Sequence, residues 1–244
     1  MTPLLQVERL AKRRAGDDRA FTLRVPGLTL APGGALALVG PSGCGKSTLI
    51  DLLALALAPD PGGLFRLRVG GGAKWLDVAA AWAGGHEDLL GRARARTLGY
   101  VLQTGGLLPF LSAGRNIALP AEIAGRHDAA WIADLTGRLG IAPLLGEMPS
   151  RLSVGQRQRV AVARALAARP PLVLADEPTA SLDPANAEVV MGLLVEATRQ
   201  AGAALLLATH DRGLVQRHGL PIAGFQLSEQ GGEVTASLTG GVAP

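Results

Sequence analysis

Residues 35–39 form a short, continuous apolar run ending at Gly40, and similar runs lie at 98–102, 172–175 and 204–208. Runs of this length, apolar on both faces and bounded by turn residues, predict buried parallel strands. Between them the composition turns helical: residues 46–58, 155–168 and 184–201 predict helices, the first stopped by Pro59. Strand and helix alternating in this way predict an α/β fold with a mostly parallel sheet covered by helices. Residues 5–10, 21–30 and 64–69 predict further strands, the second alternating around a Pro26-Gly27 break, so an N-terminal antiparallel β-layer is expected. Residues 225–238, with Gly231 and Gly232 inside, predict a closing hairpin. From about 113 to 148 the pattern is helical, clearest at 129–139, with several Gly and Pro breaks and no strand. The expectation is one domain over 1–244 with an inserted helical subdomain at 104–168.

Composition narrows the possibilities. A chain of 244 residues is long enough for a large buried core, and 48% apolar against 18% charged residues excludes disorder. With only 4 Phe, 3 Trp and 1 Tyr, aliphatic side chains must fill that core, and stacked-base recognition of nucleic acid is not expected. The formal charge of +4 is spread along the chain with no basic tail, which fits a solvated, arginine-rich surface. A single cysteine, Cys44, forms no internal disulfide and implies no zinc site, as suits a reducing compartment. The first residues lack the order of a signal peptide, and the longest apolar stretches fall far short of the ~20 residues that cross a bilayer. A cytoplasmic location is expected, with membrane attachment only through partners.

The strand at 35–39 runs into Gly40, Pro41, Ser42, Gly43, Cys44, Gly45, Lys46, Ser47 and Thr48, a match to G-x-x-x-x-G-K-[ST] between a strand and a helix. Glycines let the backbone wrap so that successive N–H groups face phosphate oxygens, and the helix start adds the positive end of its dipole. Lys46 supplies a point charge to the β- and γ-phosphates, and the Ser47 hydroxyl is a ligand for Mg²⁺. Even in a chain with 33 glycines, chance yields on the order of 0.004 such matches. The strand at 172–175 then ends in Asp176 and Glu177, the pattern of a Mg²⁺-associated carboxylate followed by one that polarises the attacking water.

With these residues in place the sequence resembles the ATP-binding cassette (ABC) family, over nearly its whole length and with the motifs in order. Leu152, Ser153, Val154, Gly155 and Gln156, followed by residues 157–166, are similar to that family's signature loop and helix. Gln103 matches its glutamine loop, Asp183 in Ser181-Leu182-Asp183 its aspartate loop, and His210 its switch histidine. The resemblance implies a P-loop NTPase core and an ATPase using ATP and Mg²⁺, with Ser47, Gln103 and Asp176 toward the metal and Glu177, His210 and Gln103 toward the chemistry. It implies a homodimer in which each ATP lies between residues 40–48 of one copy and Ser153, Gly155 and Gln156 of the other, working on integral membrane permease subunits.

Two positions depart from the family pattern. Val154 stands where the signature loop often has glycine, and a β-branched residue disfavours a positive φ. No aromatic ring lies in the stretch 10–14 where the family offers one to adenine, which leaves Arg14 or Phe21 as the base contact. Residues 107–111 offer a partner an apolar surface or pack in the core. In motif style the chain is similar to ATPases of lipoprotein-releasing, macrolide-efflux and cell-division complexes. The alternative is a cytosolic cassette ATPase acting as a nucleotide-gated switch on a non-transport assembly.

Overall fold

The computed structural model describes residues 2–15, 20–70, 74–231 and 233–243. Five strands run parallel in the order β6 (Leu98–Val101), β7 (Leu172–Asp176), β8 (Ala204–Thr209), β3 (Ala35–Val39) and β9 (Ile222–Gln230). Every residue of β7 and β8 is buried, which is why their sequences carry no polar alternation. The period-2 geometry sorts their side chains instead: Leu172, Leu174, Leu206 and Leu38 enter one apolar cluster, while Val173, Ala175, Leu205, Leu207 and Ala37 enter the other. Register aligns Val39 with Thr209 and Asp176 with Ala208, so three strands end together at one edge. Open parallel sheets bind ligands at that edge.

The sheet continues through β10 (Glu233–Thr239), antiparallel to β9, into β2 (Ala20–Leu30), β1 (Leu5–Ala15), β4 (Leu64–Arg68) and β5 (Trp75–Asp77), with β11 (Val242–Ala243) also on β2. The β2–β1–β4–β5 ladder is antiparallel, whereas β10 and β11 join β2 in parallel. Two sequence boundaries move. β1 continues past Leu10 to Ala15, and β2 runs unbroken through Pro26-Gly27. The ladder skips only the Arg9–Pro26 position, where proline has no N–H to give and Arg9 takes a φ of +51°. The hairpin between β9 and β10 pairs Gln230 with Glu233 and turns at Gly231; Gly232 lies outside the described residues.

Helix α1 (Lys46–Leu53) follows the β3 loop and ends well before Pro59, because Leu55 turns left-handed at a φ of +57°. Between β5 and β6 lie two helices that the apolar pattern did not reveal, α2 (Val78–Ala83) and α3 (Glu87–Thr97). Next come α4 (Ala113–Ile123), α5 (Ala129–Arg138) and α6 (Val154–Leu166), in which α6 packs against both α4 and α5. Helix α6 also lies on β6 and on α7 (Pro184–Gln200). A short α8 (Arg212–Arg217), also absent from the sequence reading, follows β8. The contact of α6 with β6 depends on Gly99, where a Cβ would come within 2.2 Å of the Ala165 carbonyl. Among the described residues no helix is long and apolar enough to cross a membrane.

Candidate active site

Helices α4 to α8 each begin with a side chain that caps the first-turn amides, but α1 does not. Its N-cap is Gly45, in the left-handed region at a φ of +94°, and no side chain takes the amides behind it. Those N–H groups and the helix dipole are therefore open to an anion. Glycine is required at 45 twice over, by this φ and by Phe21, whose ring would sit 2.9 Å from a Cβ. The loop folds back on its own lysine. Lys46 is almost fully buried, and its Nζ donates to the carbonyls of Gly40 (2.8 Å) and Pro41 (3.0 Å). Cys44 is buried too, and burial raises its thiol pKa, which keeps it neutral.

The end of β7 faces this loop. Glu177 is buried, with one carboxylate oxygen 3.3 Å from Lys46 Nζ and the other 2.9 Å from His210 Nδ1. Its backbone sits at a φ of +46°, held by a hydrogen bond from its N–H to the Ala208 carbonyl. A non-glycine residue in that region is strained by ~1–3 kcal/mol, a cost met mostly at functional sites. His210, just after β8, is exposed. Asp176 is buried, and burial pushes its carboxyl pKa up while a hydrogen bond with the Ser47 side chain opposes the rise. Its Oδ1 is sealed from solvent with no hydrogen-bond partner. A buried carboxylate oxygen left free beside a serine hydroxyl is a hard oxygen donor set, and it fits Mg²⁺.

Ser42, Gly43, Gly45, Lys46, Ser47, Thr48, Gln103, Glu177 and His210 line one cleft of about 450 Å³, together with Arg14, Phe21 and Ala180. Arg14 and Phe21 stand directly opposite each other on β1 and β2, so both candidate base contacts reach the same wall. Gln103 lies in the turn after β6. The next carbonyls, of Gly105 and Gly106, accept hydrogen bonds at 2.8 and 2.6 Å from Arg164, a half-buried guanidinium on α6 whose pKa burial lowers. Ser153, Gly155, Gln156 and Asp183 do not line this cleft. Ser153 and Gln156 form a reciprocal cap at the start of α6: the Gln156 N–H donates to Ser153 Oγ (3.2 Å) and the Ser153 N–H to Gln156 Oε1 (2.8 Å). Asp183 caps α7 and accepts from Asn186, which lowers its pKa. Val154 is the first residue of α6, outside the positive-φ residues, so a β-branched side chain meets no strain there.

A second, more apolar cavity of about 480 Å³ opens between α3, β6, α4 and α6, lined by Leu98, Tyr100, Leu102, Leu108, Leu119 and Ile123 among others. Of residues 107–111, Leu108 faces this groove and Leu107 packs against the core. Asn116 fixes the stretch by donating to the carbonyls of Leu108 and Leu111 and accepting the Leu108 N–H. Tyr100 and Arg94, which also lie on the groove, were not singled out in the sequence, since each reads there as ordinary strand or surface.

An uncapped helix start behind a glycine loop, answered across the same sheet edge by a buried acid pair and a histidine, leads to one class of protein, the ATP-binding cassette ATPases. Residues 23–180 match the ABC transporter family, and the chain belongs to it. It is 40% identical over 221 residues, 88% of this chain and 92% of the relative, to the lipoprotein-releasing system ATP-binding protein LolD of Alcanivorax borkumensis. It is 43% identical to the LolD of Anaeromyxobacter dehalogenans over 78% of this chain and 77% of that one. Among solved structures it resembles the dimeric post-hydrolysis state of the ATP-binding cassette MJ0796 bound to ADP and Pi, with a TM-score of 0.70, 26% identity, and 94% and 96% of the two chains covered. The protein is thus an ATP-binding and ATP-hydrolysing subunit of an ABC transporter, using ATP with Mg²⁺, and not a non-transport switch. Subunits of this kind work as dimers with membrane permease partners.

Proposed function

We propose that this chain is the ATPase of a bacterial lipoprotein-releasing complex, bound at the cytoplasmic face of the membrane through permease subunits seated in the apolar groove. The observation that carries this reading is the agreement of about 40% with lipoprotein-releasing ATP-binding proteins across most of both chains. In this reading residues 1–244 form one nucleotide-binding domain and 104–168 its helical subdomain. Gly40 to Thr48 hold the phosphates, with Lys46 neutralising the β- and γ-oxygens. Ser47 and Asp176 would hold Mg²⁺, with Gln103, which lines the same cleft, as a further oxygen donor; when bound, the ion would supply charge neutralisation on the phosphate oxygens. Glu177 polarises the attacking water and His210 contacts the γ-phosphate. Ser153, Gly155, Gln156 and Asp183 serve the nucleotide of the other copy, which accounts for their distance from this chain's own cleft.

The test is copurification from the native membrane in detergent. A complex with integral membrane subunits, whose ATP hydrolysis responds to an added acylated lipoprotein, is the expected result. Ile123→Glu, which sets a charge on the groove wall, is expected to abolish assembly while the isolated chain still binds ATP. Membrane subunits whose turnover ignores lipoprotein would remove the substrate class, and recovery with ribosomes or DNA would remove the membrane assignment.

A further inference from the structure

Helix α1 is held at both ends. Its first turn presents Lys46 and Ser47 to the nucleotide cleft, and its last turn is gripped from the side of the apolar groove. The guanidinium of Arg94, on α3, donates through Nε to the Ala54 carbonyl at 3.1 Å and through Nη2 to the Leu55 carbonyl. These are the carbonyls of the C-cap and of the residue after it, and a planar fork of donors satisfies two at once. Leu55 is fully buried at a φ of +57°, a conformation that leucine keeps only where its surroundings hold it. One turn back on α1, Asp51 accepts a hydrogen bond of 3.2 Å from the Tyr100 hydroxyl on β6. Arg94 and Tyr100 both line the apolar groove, and neither lines the nucleotide cleft.

We propose that Arg94 and Tyr100 act as positioning residues, a clasp that couples the groove to the phosphate loop through α1. Pressure on the groove wall shifts the end of α1 that they grip, and the opposite end carries Lys46 and Ser47. The helix has only two turns, about 12 Å at ~1.5 Å per residue, short enough to move as one piece. Tyr100 is also close to the metal-side acid: burial, with Asp51 and Asp176 nearby, raises its pKa and keeps the hydroxyl a donor. Coupling of this kind is reciprocal, so a nucleotide in the cleft must alter the groove's affinity for its occupant by the same factor with which that occupant alters nucleotide affinity. The inference rests on the nucleotide site but not on which partner fills the groove.

Hydrogen–deuterium exchange of the full-length monomer, with and without saturating Mg–ADP, tests it without any partner. In the wild-type chain, residues 87–101 are expected to exchange at least about 5-fold more slowly with Mg–ADP, the lower end of ordinary coupling. In Tyr100→Phe and Arg94→Gln, with Mg–ADP raised until residues 40–53 are again protected, that response at 87–101 is expected to vanish. Arg94→Lys, which keeps the charge but loses the fork, should restore only part of it. A purely structural role would slow or speed exchange equally with and without nucleotide, leaving the ratio as in the wild type. Absence of any wild-type response at 87–101, or its survival undiminished in both variants, overturns the clasp. Absence of protection at 40–53 in the wild type would instead strike the nucleotide site itself.

Discussion

Lys46 and Glu177 are both buried and neutralise each other, so neither can be removed without consequence for the other. Lys46→Ala is expected to weaken ATP binding at least about tenfold, the scale of one lost charge-assisted contact. It also leaves a buried carboxylate with only His210, and breaking one side of a buried ion pair costs about 3 kcal/mol. Thermal melts should therefore show Lys46→Ala as the less stable protein, and Lys46→Ala with Glu177→Gln should recover part of the loss. Glu177→Gln alone is expected to keep ATP but to turn it over about 100-fold more slowly, as befits loss of a positioned catalytic group. Phosphate release at saturating nucleotide measures this, and near-normal turnover would move the water-activating role elsewhere.

Contact between β6 and α6 runs over Gly99, where even a methyl group would collide with the Ala165 carbonyl. Gly99→Ala is expected to destabilise the fold by about 3 kcal/mol, because neither a strand nor a helix backbone can retreat as a side chain tip would. A lowered urea midpoint with unchanged slope is the readout. The elements around this contact differ in how far the sequence discloses them. The parallel strands were legible because β7 and β8 are covered on both faces, and α7 because it begins at Asp183-Pro184 and keeps its apolar stripe. Helix α3 was not, since it buries only Leu90, Ala93 and Thr97 among arginines, and β5 is three residues long. The end of α1 carries no glycine or proline to mark it: Leu55 turns left-handed there, and Arg94, 39 and 40 residues away, takes the carbonyls of that turn. The candidate nucleotide residues stand out in the sequence because their spacing is local chemistry, whereas the groove exists only once α3, β6, α4 and α6 meet.

The residues assigned to the nucleotide lie apart within a single copy. In the proposed reading the cleft at 40–48 holds one half, and the capped start of α6 with Asp183, which lies outside that cleft, holds another. Ser153→Arg, which places bulk and charge where a phosphate is expected, and Lys46→Ala should each abolish hydrolysis as pure proteins, through different faces. Their separation has a consequence for inheritance as much as for enzymology. When the two defective polypeptides are mixed or expressed in one cell, the mixed pair gathers both lesions on one side and leaves the other side wholly wild-type. Two dead alleles should then complement, yielding phosphate release that neither shows alone, while a single chain carrying both lesions rescues nothing.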